Sequence, residues 1–109
     1  MKYLVIILAV LIAPSHANNL DSLNQKNWIH GSEDCNNNQD PAIDVFQFNE
    51  STYILRQNKC LNYEAPFIYV LFGEHTVFVQ DTGATAEAEL FPLYETIQKL
   101  IAEGPNSDL

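Results

Sequence analysis

Basic side chains are scarce in this chain: five Lys and Arg stand against fourteen Asp and Glu, for a formal charge of −9. The five do not cluster. The chain therefore lacks the basic patch that phosphate backbones and anionic lipid headgroups require, which argues against nucleic acid and anionic membranes as partners. Histidine is scarce as well, with only His16, His30 and His75. Neither His30 nor His75 stands in a ligand motif with other His, Cys or Asp residues, so no metal centre is legible in the chain itself. Ser32 and Ser51 lack the strand–turn–helix setting of a nucleophile elbow, which leaves Ser-His-Asp chemistry without support. The chain also lacks an uninterrupted apolar run of the roughly 20 residues a membrane-spanning helix needs. Internal repeats and low-complexity tracts are absent.

The apolar run that is there is short and sits at the start. Lys2 precedes an uncharged stretch from Tyr3 to Ala13, followed by Pro14-Ser15-His16-Ala17. A basic start, an apolar middle of about a dozen residues and small residues at Ser15 and Ala17 are the pattern of a signal peptide. Cleavage after Ala17 would leave 92 of the 109 residues and, with Lys2 gone, a formal charge of −10. The expected location is secreted or periplasmic, with no membrane contact after cleavage. In an oxidising compartment Cys35 and Cys60 are candidates for a disulfide, which would close a loop of about 25 residues and add roughly 3 kcal/mol in the chain-entropy picture. Free cysteines remain the alternative. The 24 residues between them match no common metal-ligand spacing.

Residues 18–42 are polar, Asn-rich and sparse in large apolar side chains apart from Leu20, Leu23, Trp28 and Ile29. They read as an extended N-terminal segment pinned by Trp28 and Ile29. Strand patterns follow at Ile43–Phe48 and Thr52–Gln57, with Tyr53 and Leu55 on one face and Asn49-Glu50-Ser51 as the turn. That turn is also a glycosylation sequon, informative only for a eukaryotic source. A third strand, Phe67–Phe72, is apolar at all six positions, the pattern of a strand covered on both faces. Gly73-Glu74-His75 turns the chain into a fourth strand, Thr76–Gln80. Beyond Gly83 the period changes: Leu93, Tyr94, Ile97, Leu100 and Ile101 recur at helical spacing. Pro92 suits the first turn of that helix, and Gly104-Pro105 suits its end, with Gly in a left-handed cap. The expected class is α+β, an antiparallel β-meander plus one helix over residues 43–103, with 104–109 as tail.

The fourth strand runs into Asp81-Thr82-Gly83, a carboxylate at a strand mouth beside a glycine turn. Taken alone, the tripeptide fits an Asx-type turn in which Asp81 accepts backbone N–H bonds. Its context adds more. Tyr53-Ile54-Leu55-Arg56-Gln57-Asn58-Lys59, then Glu64-Ala65-Pro66-Phe67-Ile68-Tyr69, then Val77-Phe78-Val79-Gln80-Asp81-Thr82-Gly83-Ala84, resembles the opening of secreted metallo-β-lactamase-fold hydrolases.

The resemblance covers roughly Ile43–Ile101 and implies the N-terminal half of an αββα sandwich. In that family the Asp of the strand-DTG element, here Asp81, supports the metal-binding loop from behind the ligands, with Thr82 and Gly83 shaping the turn. Zinc is the cofactor implied for the complete family member. Its ligands lie in a later H-x-H-x-D-H loop, which these 109 residues do not contain. The resemblance thus implies an N-terminal fragment without metal ligands, inactive alone, whose partner is the missing C-terminal half of the same fold. Two alternatives belong to other classes. One is a non-catalytic secreted module that binds a partner through an open sheet face. The other is a dimeric aspartic protease of retroviral type using Asp81, against which stands the lack of a Gly-rich flap after Gly83.

Overall fold

The computed structural model describes residues 18–31 and 33–104. Residues 1–17, the expected signal peptide, lie outside the described residues, as do Ser32 and residues 105–109 of the expected tail. The first helix, α1, spans Asn19–Gln25. It lies in the segment whose composition suggests extended chain. Asn18 explains the difference, because its side chain accepts the Leu20 N–H at 3.1 Å and so caps the first turn. Asp34 does the same for a single 3₁₀ turn at Cys35–Asn37, accepting from the Asn36 N–H. Neither turn buries a residue.

Four strands follow, β1 (Ile43–Asn49), β2 (Thr52–Gln57), β3 (Phe67–Phe72) and β4 (Val77–Gln80). They form one antiparallel sheet in the order β1-β2-β3-β4. Short connections enforce that order. Between β1 and β2, Asn49 Oδ1 accepts the Ser51 N–H at 2.9 Å, and the register slips between Gln47 and Asn49. Between β3 and β4 the Gly73 N–H donates to the Thr76 carbonyl at 2.8 Å.

Side chains alternate across a sheet, so the register fixes its two faces. Val45 pairs with Leu55, Leu55 with Ile68, and Val70 with Val79. One face therefore gathers Ile43, Tyr53, Leu55, Ile68, Val70, Phe72, Val77 and Val79. The second helix, α2 (Leu93–Glu103), lays Leu93, Ile97, Leu100 and Ile101 on this face, with Phe91 beneath its start. Leu55, Ile68 and Val70 are fully buried there. Each contributes about 1.5–3 kcal/mol of burial. Pro92 stands just ahead of α2 rather than inside its first turn. Gly104 ends the helix with φ −83°, extended and not left-handed. Glycine is needed there because a Cβ would sit 2.7 Å from the Leu100 carbonyl oxygen.

The opposite face carries Phe46, Phe48, Ile54, Arg56, Phe67, Tyr69, Leu71 and Phe78. Its β1 side is roofed by the stretch after α1. Trp28 meets Phe46 and Phe67 edge-on, with ring centroids 5.8 and 5.0 Å apart. Lys26 anchors this roof by an ion pair to Asp44 at 2.9 Å, and the Ile29 N–H adds a bond to the same carboxylate. Toward β4 the roof ends. Tyr69 and Leu71 are each 38% exposed and Phe78 is 61% exposed. On this face β3 is covered at Phe67 and open at Tyr69 and Leu71, by contrast with the full two-sided cover its pattern suggests. The fold is α+β, with two helices where one was expected.

Candidate functional site

The turn at the end of β4 is the best-defined polar feature at the sheet's edge. Asp81 takes φ +70°, a left-handed conformation that Asp tolerates better than most residues. Its Oδ1 accepts both the Thr82 N–H at 2.7 Å and the Gly83 N–H at 2.9 Å. The carboxylate thus closes its own turn, in the manner of an Asx turn. Asp81 and Thr82 are exposed. Among the described residues no hydrogen bond engages Oδ2, so one carboxylate oxygen stays open to a neighbouring element.

Gly83 is fixed by both conformation and space. Its φ is +79°, and a Cβ would lie 2.3 Å from Phe91 Cε1. The turn is therefore pressed onto the ring that plugs the core below α2.

From the other side Gln57, fully buried at the end of β2, holds the loop after Gly83. Its Oε1 accepts the Ala84 N–H at 2.8 Å, and its Nε2 donates to Thr85 Oγ1 at 2.6 Å. Asn62 completes the grip by donating to the Ala84 carbonyl at 2.9 Å. Each of these three bonds satisfies a polar group that would be costly to bury alone. Between the loop and the start of α2 lies a shallow depression of about 550 Å³, bordered by Thr82, Ala86 and Tyr94.

Gln57 and Asn62 were not among the residues that sequence reasoning singled out. A signal for Gln57 existed: Tyr53, Leu55 and Gln57 share one face of β2, which places an amide in a row of core side chains. For Asn62, in the loop between β2 and β3, no pattern marks the contact with Ala84.

The cysteines of the sequence reading come together. Cys35 and Cys60 form a disulfide with Cα atoms 5.3 Å apart. It ties the 3₁₀ turn to the loop after β2. The histidines do not come together into a centre: His30 lies in the exposed stretch before the 3₁₀ turn and His75 in the exposed β3–β4 turn. Among the described residues no group of three or more His, Cys, Asp or Glu is arranged to hold a metal ion. Both cysteines are in the disulfide, and the resemblance implies zinc only for the complete family member, with ligands outside these residues.

Among the described residues no helix is long and apolar enough to cross a membrane. The disulfide is compatible with a secreted or periplasmic protein. Compared with protein-family models, with curated proteins and with solved structures, the chain matches none.

Proposed function

We propose that the chain forms the sheet-and-helix opening of a secreted zinc-dependent hydrolase of the metallo-β-lactamase fold and is inactive without the remainder of that fold. In this reading Asp81, Thr82 and Gly83 brace an element that carries the metal ligands, and none of them is itself a ligand. The face of β3 and β4 that bears Tyr69, Leu71 and Phe78 receives the second sheet. Zinc, held by the complementary half, would supply an activated water for hydrolysis.

The observation that carries the reading is the incomplete cover of β3, in which every residue is apolar yet Tyr69 and Leu71 are exposed. A soluble domain seldom leaves large neighbouring apolar side chains such as Leu71 and Phe78 open unless another surface covers them. Asp81 adds support, since its Oδ1 fixes the turn and leaves Oδ2 to meet a second element.

Complementation tests the reading. The chain is mixed with a separately produced C-terminal half of a metallo-β-lactamase-fold hydrolase, and zinc content and hydrolase activity are measured. Recovery of both, reduced by Asp81→Ala, is the expected result. A tight one-to-one zinc site in the chain alone, seen by titration calorimetry, would overturn the reading. So would a stable monomer that ignores the complementary half, the behaviour of a non-catalytic module.

A further inference from the structure

We infer that the Cys35–Cys60 disulfide and the Asp81 turn are coupled, so that the redox state of the cysteines sets how firmly the loop 82–85 is held. The inference concerns the loop itself and holds whatever chemistry the loop serves. The path is short and polar. Cys60 donates its N–H to Asn58 Oδ1 at 2.8 Å. The Asn58 amide nitrogen in turn bonds to Asn38 Oδ1 at 2.9 Å and to the Pro41 carbonyl at 3.1 Å. Gly31 seals the junction, because a Cβ there would come within 3.0 Å of Asn58 Oδ1 and Cys60 Sγ. Three separate stretches of chain thus converge on the disulfide.

The loop 82–85 hangs from the same place. Gln57, directly before Asn58, grips the Ala84 N–H and the Thr85 hydroxyl. Asn62, two residues beyond Cys60, grips the Ala84 carbonyl. Gln57 belongs to β2 and is fixed by the sheet. Asn62 belongs to the loop between β2 and β3, which the disulfide cross-links to the 3₁₀ turn. Opening the disulfide removes that cross-link and loosens the loop, and the single Asn62–Ala84 bond is how that loosening reaches residues 82–85.

The chemistry is ordinary thiol–disulfide exchange. Cys35 is exposed. A small dithiol attacks one sulfur as a thiolate, forms a mixed disulfide, and its second thiol displaces the protein. The protein gains two thiols and the reagent leaves as its own disulfide.

Amide hydrogen exchange on the full chain, with and without a small dithiol, tests the coupling. Reduction should speed exchange at Ala84, whose N–H Gln57 holds, about five- to tenfold, the effect of losing one hydrogen bond in the loop, while Ile68 in the centre of the sheet stays protected. Asn62→Ala in the oxidised protein should give the same acceleration, and reduction should then add little. Coupling is reciprocal at equilibrium, so Asn62→Ala should also shift the ratio of reduced to oxidised dithiol that half-opens the disulfide severalfold toward milder reduction, as followed by thiol labelling. The inference is overturned if Asn62→Ala leaves that ratio at the wild-type value. It is equally overturned if reduction loosens the Leu61 and Ala65 amides of the β2–β3 loop but leaves Ala84 as protected as before.

Discussion

Replacing Gly83 by alanine tests the placement of the Asp81 turn most sharply, because one methyl group meets two separate obstacles. The first is conformational. At φ +79° an L side chain costs about 1–2 kcal/mol that glycine does not. The second is steric. The new Cβ would sit 2.3 Å from Phe91 Cε1 and 2.9 Å from Cζ, against a ring only 3% exposed. The ring cannot swing into solvent, so either Phe91 moves into the core or the turn lifts away from it. Overpacking of this kind costs about 1–3 kcal/mol. Lifting the turn would also pull Ala84 from Gln57, whose Oε1 lies 3.0 Å from the same Cβ.

Together these give a loss of about 2–5 kcal/mol for Gly83→Ala, large beside the total stability of about 5–15 kcal/mol for a domain. Urea denaturation followed by tryptophan fluorescence reads it, since Trp28 is the only tryptophan and packs on the sheet. Gly73→Ala is the control: its Cβ meets only Thr76, at 3.3 Å, and the cost should stay under about 1 kcal/mol. Phe91→Leu combined with Gly83→Ala should recover the steric part and leave the conformational part. If Gly83→Ala is no worse than Gly73→Ala, the turn does not rest on Phe91 and the description of the loop is wrong.

Leu55→Ala, at a fully buried position under α2, should cost about 2–5 kcal/mol in the same denaturation assay. Cys35→Ser with Cys60→Ser should lower the midpoint by the equivalent of about 3 kcal/mol for a loop of this length. Leu71→Ser with Phe78→Ser should leave folding nearly unchanged, because both side chains are already exposed, while reducing dye binding and self-association in light scattering. Loss of folding in the last variant would mean that this face is covered in the isolated chain.

The parts of this protein that were legible in its sequence are those governed by a repeating period. The strands at 52–57 and 67–72 have the bounds the pattern implied, and β1 and β4 differ from it by one residue at one end. The face shared by Tyr53 and Leu55 is the core face, as alternation requires. Local capping is harder to read. Seven residues from Asn19 to Gln25 hold too few apolar side chains to announce a helix, yet the Asn18 cap suffices to start one. Asp81 illustrates a third case. The tripeptide already suggested a carboxylate bonded to its own backbone, and the structure has that geometry. What clamps the turn was illegible, because Gln57 and Asn62 act across 27 and 22 positions of sequence.

The distribution of buried polarity ties the site to the open face. Gln57 and Asn58 are the buried polar side chains of the core, and both stand at one end of β2. Neither adds as much stability as a leucine would, since each hydrogen bond only replaces one made with water. What the amides contribute is direction. A leucine at position 57 would fill the same space but leave the Ala84 N–H and the Thr85 hydroxyl without partners, and the loop after β4 would have no single preferred path. The chain therefore uses the buried amide of Gln57 to fix one loop at the sheet's end while leaving Leu71 on β3 and Phe78 on β4 open to solvent. A rigid turn at the end of β4 and an uncovered apolar face fit the second layer proposed above, which would need a surface to bury against and a carboxylate at the sheet's edge.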